Sequence, residues 1–263
     1  MIRKLHLASL AFALFALAVS IVWAYPLIFA VMATTTPMAE PGTGIGGYLD
    51  ALVNTPIGRW YLNSLVTSAA ITAGVLAISA ACGYAISQLE FFGRKVLWAL
   101  ILMSFLVPVQ ALIINHFFLM HRWGLINSLL GVILPQLIAP VAVIVYKQFF
   151  DSVPRDFREA AEIDGAGPVR VFFSVFLPLN WGVTAALGII VFIGAWNAFL
   201  WPFLVVTRPE GMTITVAIVE AQNRWGVSGL VAAMLAALPV AIVALLFQRK
   251  VTEAIVLSAG IKG

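Results

Sequence analysis

Charged residues are scarce in this chain, and their scarcity excludes an ordinary soluble protein. Only 10% of the 263 residues are charged, whereas 62% are hydrophobic. A soluble domain usually carries about 25% charged residues, and its core could not bury this much apolar surface. The composition therefore indicates a membrane protein.

Cysteine is almost absent, and no nucleotide-binding motif is present. Cys82 stands alone, which excludes an intrachain disulfide and a cysteine-cluster metal site. His116 and His121 have no acidic or cysteine partner beside them and predict no metal site. The chain has no G-x-x-x-x-G-K-[ST] loop, and GTGIGG at 42–47 lacks the flanking strand that a dinucleotide fingerprint needs. We therefore expect no metal, cofactor or catalytic residue in this chain.

Six apolar runs are long enough to cross a bilayer as helices of about 20 residues. The first run is too long for the core of a signal peptide, and no cleavage site follows it, so we expect it to be retained. The predicted fold class is an all-α membrane protein with six transmembrane helices in a single domain, 1–263. The runs lie at residues 7–33, 62–87, 96–115, 125–146, 183–206 and 229–247.

The basic residues are distributed unevenly between the two sides of these spans. If the N-terminus is cytoplasmic, eleven of the fifteen Lys and Arg residues lie on the cytoplasmic side, and only Arg59, Arg122, Arg208 and Arg224 lie outside. Because cytoplasmic loops retain basic residues, we predict that both termini are cytoplasmic.

Charged residues are missing from the interior of all six runs. Proton-coupled transporters commonly place acidic residues or histidine there, so their absence indicates an energy source outside the lipid. Neutral polar candidates for a translocation path do occur, at Gln110, Asn115, Trp196 and Asn197. They either bond to neighbouring helices or line a polar path, and both interpretations stay open. Pro202 is expected to bend the fifth run near its outer end.

The most charged segment is the cytoplasmic loop 147–180, between the fourth and fifth runs. Within it, DSVPRDFREAAEIDG predicts a helix with signals at both ends. Asp151 or Ser152 can cap it, Pro154 suits its first turn, and Gly165 suits a left-handed end.

Four residues of this predicted helix share one face, because they follow the i, i+3, i+4, i+7 spacing. They are Phe157, Ala160, Ala161 and Asp164. Its two alanines would let a partner approach the helix backbone closely. The face therefore favours a helix that docks against a partner protein. The alternative interpretation is a solvent-exposed segment that only connects two spans.

The same loop resembles the EAA loop of ATP-binding-cassette importer permeases. Glu159-Ala160-Ala161 is followed at the family's spacing by Gly165, Leu177 and Pro178, with Val175 in place of the usual isoleucine. Further segments resemble the sugar permeases of the maltose and glycerol-phosphate type, although the glycine expected after Gln-Arg is missing. These segments are Asn63-Ser64, Asp164-Gly165-Ala166, Trp196-Asn197, Gln248-Arg249 and the tail Ala259–Gly263.

The resemblance implies a permease subunit of a binding-protein-dependent importer in a bacterial or archaeal cytoplasmic membrane. It implies a second homologous permease, two ATPase subunits that bind ATP and Mg²⁺, an extracytoplasmic solute-binding protein, and a sugar or sugar-like solute. The permease itself is then no enzyme, and its EAA helix couples it to the ATPases. The coupling residues implied are Phe157, Glu159, Ala160, Ala161, Asp164, Gly165, Leu177 and Pro178.

The outside loop Thr207–Ser228 offers candidates for contact with the binding protein. Gln222, Asn223, Arg224 and Trp225 are these candidates, and the alternative is a capped interfacial turn, since tryptophan prefers the membrane interface. The competing function for the whole chain is a stand-alone secondary transporter or channel.

Overall fold

The computed structural model describes residues 2–35 and 44–260, and every regular element within them is helical. The predicted all-α class is therefore confirmed for these residues. The beginning of GTGIGG and the end of the tail lie outside them. The α-helices are α1 (Ile2–Thr35), α2 (Gly44–Asn54), α3 (Ile57–Gln88), α4 (Arg94–Phe105), α5 (Ile113–Arg122), α6 (Leu129–Ile133), α7 (Pro140–Asp151), α8 (Arg155–Ile163), α9 (Pro168–Val171), α10 (Leu177–Leu179), α11 (Trp181–Trp196), α12 (Leu200–Val205), α13 (Ile214–Trp225) and α14 (Gly229–Gly260).

Four short helical turns connect some of these helices. Three are 3₁₀ turns, at Val109–Leu112, Leu134–Leu137 and Pro209–Gly211, and the fourth is a π-turn at Phe172–Phe176.

Three helical segments in the described ranges are long and apolar enough to cross a membrane alone. They are Phe12–Thr35, Ile57–Gln88 and Gly229–Phe247. Three further candidates are bent pairs, so the number of spans is three, or six if each pair counts as one. The pairs are Arg94–Phe105 with Val109–Arg122, bent by 95°, Leu129–Leu137 with Pro140–Asp151, bent by 46°, and Pro168–Leu179 with Trp181–Trp196, bent by 78°.

The third and fourth predicted runs are wrong as continuous helices. The third breaks before Pro108, whose backbone is extended, with φ −66° and ψ 128°. The fourth breaks at Ile138 and Ala139, immediately before Pro140. Both breaks have the same cause, because a proline lacks the N–H group and disfavours helical geometry in the residue before it.

The fifth predicted run, 183–206, is also interrupted. α11 ends at Trp196, and α12 begins at Leu200. The bend expected at Pro202 is wrong, because the chain leaves the helix earlier and Pro202 lies in the first turn of α12, where its missing N–H is tolerated. Within the predicted loop 147–180, α7 continues to Asp151, and the run 168–179 is helical.

The chain divides into two compact units, of which the first comprises Met1–Ile57 and Ile218–Leu238. In this unit the Tyr48 hydroxyl donates a 2.8 Å hydrogen bond to the hydroxyl of Thr34, which joins α2 to the end of α1. Most described side chains of α1 are exposed, as suits a helix that faces lipid.

The second unit comprises Gly58–Ala217 and Pro239–Gly263, and its helices pack closely at small residues. A Cβ placed on Gly83 of α3 would lie 2.8 Å from Tyr146 Cβ and 3.0 Å from the backbone nitrogen of Lys147 in α7. Small residues at such crossings let membrane helices approach each other, because lipid offers no hydrophobic drive for helix association.

We predict that Gly83→Ala destabilises the protein by about 1–3 kcal/mol, as overpacking does, although alanine favours a helix. The matched control is Gly194→Ala in α11, where an added Cβ meets nothing within 4 Å. This control should keep or raise stability. Thermal unfolding of the detergent-purified variants measures both effects, and equal midpoints for the two variants would refute the close crossing.

Candidate functional site

Helix α8 carries the EAA triplet and has no fully buried residue. Phe157 is 49% exposed and Ile163 is 86% exposed, so two large apolar side chains face outward on a charged helix. Glu159, Ala160 and Asp164 are exposed with them. Apolar groups rimmed by polar ones are typical of a surface that another molecule covers.

The ends of α8 agree only partly with the sequence prediction. Pro154 occupies the N-cap position, and no side chain caps the helix. Asp151 instead ends α7, and the Ser152 hydroxyl donates to the carbonyl of Phe149, so the predicted caps are wrong. Gly165 ends the helix as predicted, with a φ of 78°, which glycine adopts without steric cost.

The opposite side of α8 is fixed to the spans. The Arg158 side chain pairs with Glu162 at 2.7 Å and also donates to the backbone carbonyl of Gln88 at the end of α3. Ala161 is half-buried and packs against the core. The predicted shared face therefore divides, since Ala161 points inward while its other three members stay exposed.

Four rings from three chain segments pack beside α8, and we call them the aromatic cluster: Tyr84, Phe150, Phe172 and Phe176. The ring centroid of Tyr84 lies 5.1 Å from Phe172, 5.2 Å from Phe176 and 6.2 Å from Phe150. Tilted and edge-on pairs of this kind are favoured by the ring quadrupoles. The Tyr84 hydroxyl also donates to the carbonyl of Pro168 at 3.0 Å. The cluster thus joins α3, α7 and the helical run that follows α8.

The Leu-Pro pair that closes the predicted loop lies in α10, at the end of this run. Leu177 is half-buried against the aromatic cluster, whereas Pro178 is exposed. Asn180 follows, and its amide donates to the Phe176 carbonyl at 2.9 Å. The chain bends by 78° between Leu179 and the start of α11. The Leu-Pro pair therefore lies directly before the sharp bend of this candidate span.

A polar network supports the junction between α3 and α7. The Ser87 hydroxyl donates to Asp151 at 2.6 Å, and Lys147 forms an ion pair with the same carboxylate. The Gln88 amide donates to the Phe150 carbonyl at 3.1 Å. Residues of this network and of α8 together line a groove of about 550 Å³. Its charged lining residues are Glu90, Arg94, Asp151, Arg155, Arg158, Glu159 and Glu162.

The four translocation-path candidates lie at helix breaks. Gln110 lies in the 3₁₀ turn after Pro108, and Asn115 lies in the first turn of α5; both are exposed. Asn197 is exposed at the end of α11. Trp196 differs from them, because it is buried and its ring lies 6.3 Å from that of Tyr61.

Sequence reasoning missed a set of hydrogen bonds at the beginning of α3. The side chains of Trp60 and Asn63 donate bonds of 2.8–2.9 Å to backbone carbonyls of 209–212. The Ser64 hydroxyl accepts a 2.8 Å bond from the N–H group of Ile214. These bonds fix the segment before α13 to α3. The only signal in the sequence was the Asn63-Ser64 pair. It contributes to the resemblance to sugar permeases but does not predict this contact.

Asn127 was also missed. Its φ of 62° is the only positive value at a non-glycine residue in the described ranges. Its side-chain oxygen accepts bonds from the Thr207 N–H group at 2.7 Å, the Thr207 hydroxyl at 3.0 Å and the Arg208 N–H group at 3.1 Å. Asparagine tolerates left-handed geometry. The available signal was its position directly before Ser128, which caps α6.

The four candidate contacts for a binding protein lie in the last turn of α13. Gln222, Asn223 and Arg224 are exposed, and Trp225 is half-buried. The Arg224 side chain lies 3.4 Å from the carboxylate of Glu220 and 5.6 Å from the ring centroid of Trp225. These contacts orient Arg224 at an exposed end of α13.

The fold is that of a membrane subunit of an ABC transporter. The structure matches a chain of a bacterial ABC transporter involved in the import of the acidic polysaccharide alginate, with a TM-score of 0.83 and 18% identity, over 93% of this chain and 96% of that chain. A bacterial alginate ABC transporter in complex with a periplasmic protein bound to alginate pentasaccharide also matches. Its TM-score is 0.64 at 16% identity, over 91% and 95% of the two chains.

Residues 73–256 match the family described as the binding-protein-dependent transport system inner membrane component. The chain therefore belongs to this family. It is 35% identical to the sn-glycerol-3-phosphate transport system permease protein UgpE of Pectobacterium atrosepticum over 201 residues, which cover 74% of this chain and 71% of the relative. It is 32% identical to the arabinooligosaccharides transport system permease protein AraQ of Bacillus subtilis over 211 residues, 78% of this chain and 74% of the relative.

Family membership confirms the resemblance found in the sequence. The chain is a permease subunit of a binding-protein-dependent ABC importer and a multi-pass protein of the bacterial cytoplasmic membrane. ATP hydrolysis belongs to separate subunits of such a transporter. A stand-alone transporter or channel is thereby excluded.

The aromatic cluster generates a prediction about stability. Phe176→Ala should cost about 3–5 kcal/mol, as other large-to-small core changes do, because Phe176 is 1% exposed. Phe173→Ala is the matched control in the same turn, where the side chain is 61% exposed. Its effect should be smaller, about 0.5–1.5 kcal/mol, because its ring contact is an edge-on pair with Phe172 at 4.8 Å between centroids. Thermal unfolding tests both, and equal losses would show that the cluster is not the core of this region.

Asn127 generates a prediction that separates backbone geometry from hydrogen bonding. Asn127→Gly keeps the left-handed backbone and loses the three side-chain bonds, while Asn127→Ala loses both. The alanine variant should therefore be less stable than the glycine variant by about 1–2 kcal/mol, the cost of left-handed geometry. Hydrogen exchange at the Thr207 and Arg208 amides should accelerate in both variants. Equal stabilities of the two variants would contradict the backbone argument.

Proposed function

We propose that this permease subunit takes up a sugar or a sugar-like solute and that α8 is its coupling helix. The relatives support the solute class, since they are permeases of transport systems for sn-glycerol-3-phosphate and arabinooligosaccharides. The proposed topology is six spans with both termini cytoplasmic, in which each bent helix pair crosses once. The uneven distribution of Lys and Arg supports this orientation.

The observation that carries the proposal is the two-sided character of α8. Phe157, Glu159, Ala160 and Asp164 face outward, where an ATPase subunit can cover them. Arg158 and Ala161 fix the inner side to α3 and the aromatic cluster. A coupling element needs both properties, because it must bind a partner and pass its displacement to the spans.

The proposed partners are a second homologous permease, two ATPase subunits and an extracytoplasmic solute-binding protein. ATP and Mg²⁺ bind in the ATPase subunits, whose closure displaces α8. The displacement passes through the aromatic cluster to α3 and α7, and through Leu177 and Pro178 to α11. Gly165 lets the chain turn directly after α8, which keeps the coupling helix short and its end defined. The permease pair thereby changes from inward-facing to outward-facing.

On the solute side, Gln110, Asn115, Trp196 and Asn197 are the proposed lining of the path. The amide groups of Gln110, Asn115 and Asn197 are exposed and can hydrogen-bond to sugar hydroxyls. Trp196 is buried and would contact a sugar ring only after a rearrangement of the helices. At the outer end of α13, Gln222, Asn223, Arg224 and Trp225 are the proposed contacts of the binding protein.

The coupling role is tested at Ala160, because this residue is exposed and no core contact is lost when it changes. Ala160→Trp should leave membrane insertion and thermal stability unchanged but sharply reduce co-purification of the ATPase and solute uptake. Ala160→Ser is the matched control and should retain both. Each variant is expressed with the whole transporter, and ATPase recovery, uptake and unfolding are measured. Normal uptake by the tryptophan variant would overturn the coupling role of α8.

A further inference from the structure

A second groove lies where α3 ends and α4 begins. It has a volume of about 1030 Å³, and residues 90–98 form most of its wall, together with Ile86, Leu100 and Lys147. No residue of α8 lines it. Because α3 and α4 both belong to candidate spans, their junction lies at a membrane surface.

Three basic residues line this groove: Arg94, Lys95 and Lys147. The Arg94 guanidinium is held in place by bonds to the carbonyls of Ser87 at 3.0 Å and Leu89 at 3.2 Å. The Lys147 side chain is only 18% exposed, and its ammonium lies 4.9 Å from the ring centroid of Trp98. Lys95 is exposed at the rim.

The charge of the groove matches one singly charged anion. Glu90 lies in its lining, and Asp151 pairs with Lys147. These two carboxylates offset two of the three basic groups, so one positive charge remains. A phosphodiester group carries one negative charge and would therefore neutralise the groove.

The rest of the groove is apolar and faces outward. Phe91 and Phe92 are exposed on the turn between the two helices, and Val96 and Leu100 are exposed along α4. Aromatic and basic residues at the end of a span are typical anchors at the membrane interface. An apolar wall that continues along a span suits an acyl chain. The wall therefore favours a phospholipid over free phosphate, which has no acyl chain.

We propose that this groove binds an anionic phospholipid of the bilayer. Arg94, Lys95 and Lys147 hold its phosphodiester, and an acyl chain lies along Trp98, Val96 and Leu100. Basic pockets beside transmembrane helices bind anionic lipid headgroups elsewhere by the same combination of charges. The proposed lipid site depends on the proposed topology in one respect only. With both termini in the cytoplasm, the bound lipid lies in the cytoplasmic leaflet.

Quenching of Trp98 fluorescence tests the proposal in the complete transporter reconstituted in liposomes. The Trp98 signal is the difference between the wild-type protein and Trp98→Phe. Brominated phosphatidylglycerol should quench it more strongly than brominated phosphatidylcholine at the same mole fraction. Lys95→Gln should weaken this preference about fivefold, as expected for about 1 kcal/mol per basic residue near an anionic surface. Lys95 is exposed, so its replacement should not disturb folding.

Arg122→Gln is the matched control, since Arg122 is an exposed basic residue at the end of α5 and does not line the groove. It should leave the preference unchanged. Equal quenching by the two lipids, an equal loss in both variants, or displacement of the lipid by inorganic phosphate would overturn the proposal. Protection of Trp98 from both lipids would also overturn it and would indicate that a protein covers the groove.

Solute uptake measured in the same liposomes separates this inference from the proposed function. If the transporter takes up solute but Trp98 shows no preference for the anionic lipid, only the proposed lipid site is wrong. If Trp98 shows the lipid preference but the fully assembled transporter takes up no solute, only the proposed function is wrong.

Discussion

Contacts around Tyr84 are the interaction on which the packing of α3, α7 and the helical run after α8 depends. Its ring packs with Phe150, Phe172 and Phe176, and its hydroxyl bonds to the carbonyl of Pro168. Lipid provides no hydrophobic drive between helices, so shape and hydrogen bonding must select the packing. The large rings at this junction and Gly83 at the nearby α3–α7 crossing both provide such shape complementarity. Together they allow helices with little charge to pack in one defined arrangement.

The sequence predicted the helical class and the position of α8 well, because those features depend on local signals. Gly165 ends α8 as expected, since few other residues adopt its positive φ without strain. The N-terminal cap was wrong for a tertiary reason. Asp151 bonds to Ser87 of α3 and to Lys147, which extends α7 and removes Asp151 from α8.

The breaks in the spans were only partly predictable. Pro108 and Pro140 mark two of them, but the angles of 95° and 46° depend on neighbouring helices rather than on the prolines. The break after Trp196 has no proline at its start, and Pro202 misled because it fits the first turn of a new helix. Hydropathy detects apolar length and does not detect bends, since a bent segment and a straight one have the same composition. The contacts of Asn127 and Asn63 were hidden for a similar reason, because their partners lie more than 75 residues away in the sequence.

Helix α3 connects the two ends of this unit. Its 32 residues form one uninterrupted helix, which is about 48 Å long at 1.5 Å per residue. At one end, Tyr84 bonds to Pro168 and Gln88 bonds to Arg158 of α8. At the other end, Asn63 and Ser64 hold the segment that leads into α13. A continuous helix resists compression far better than the bent pairs around it, because every interior backbone group is hydrogen-bonded along one axis. A displacement at α8 therefore has a stiff connection to the distant segment 209–214, whereas the broken helices beside α3 supply the joints around which such a movement can occur.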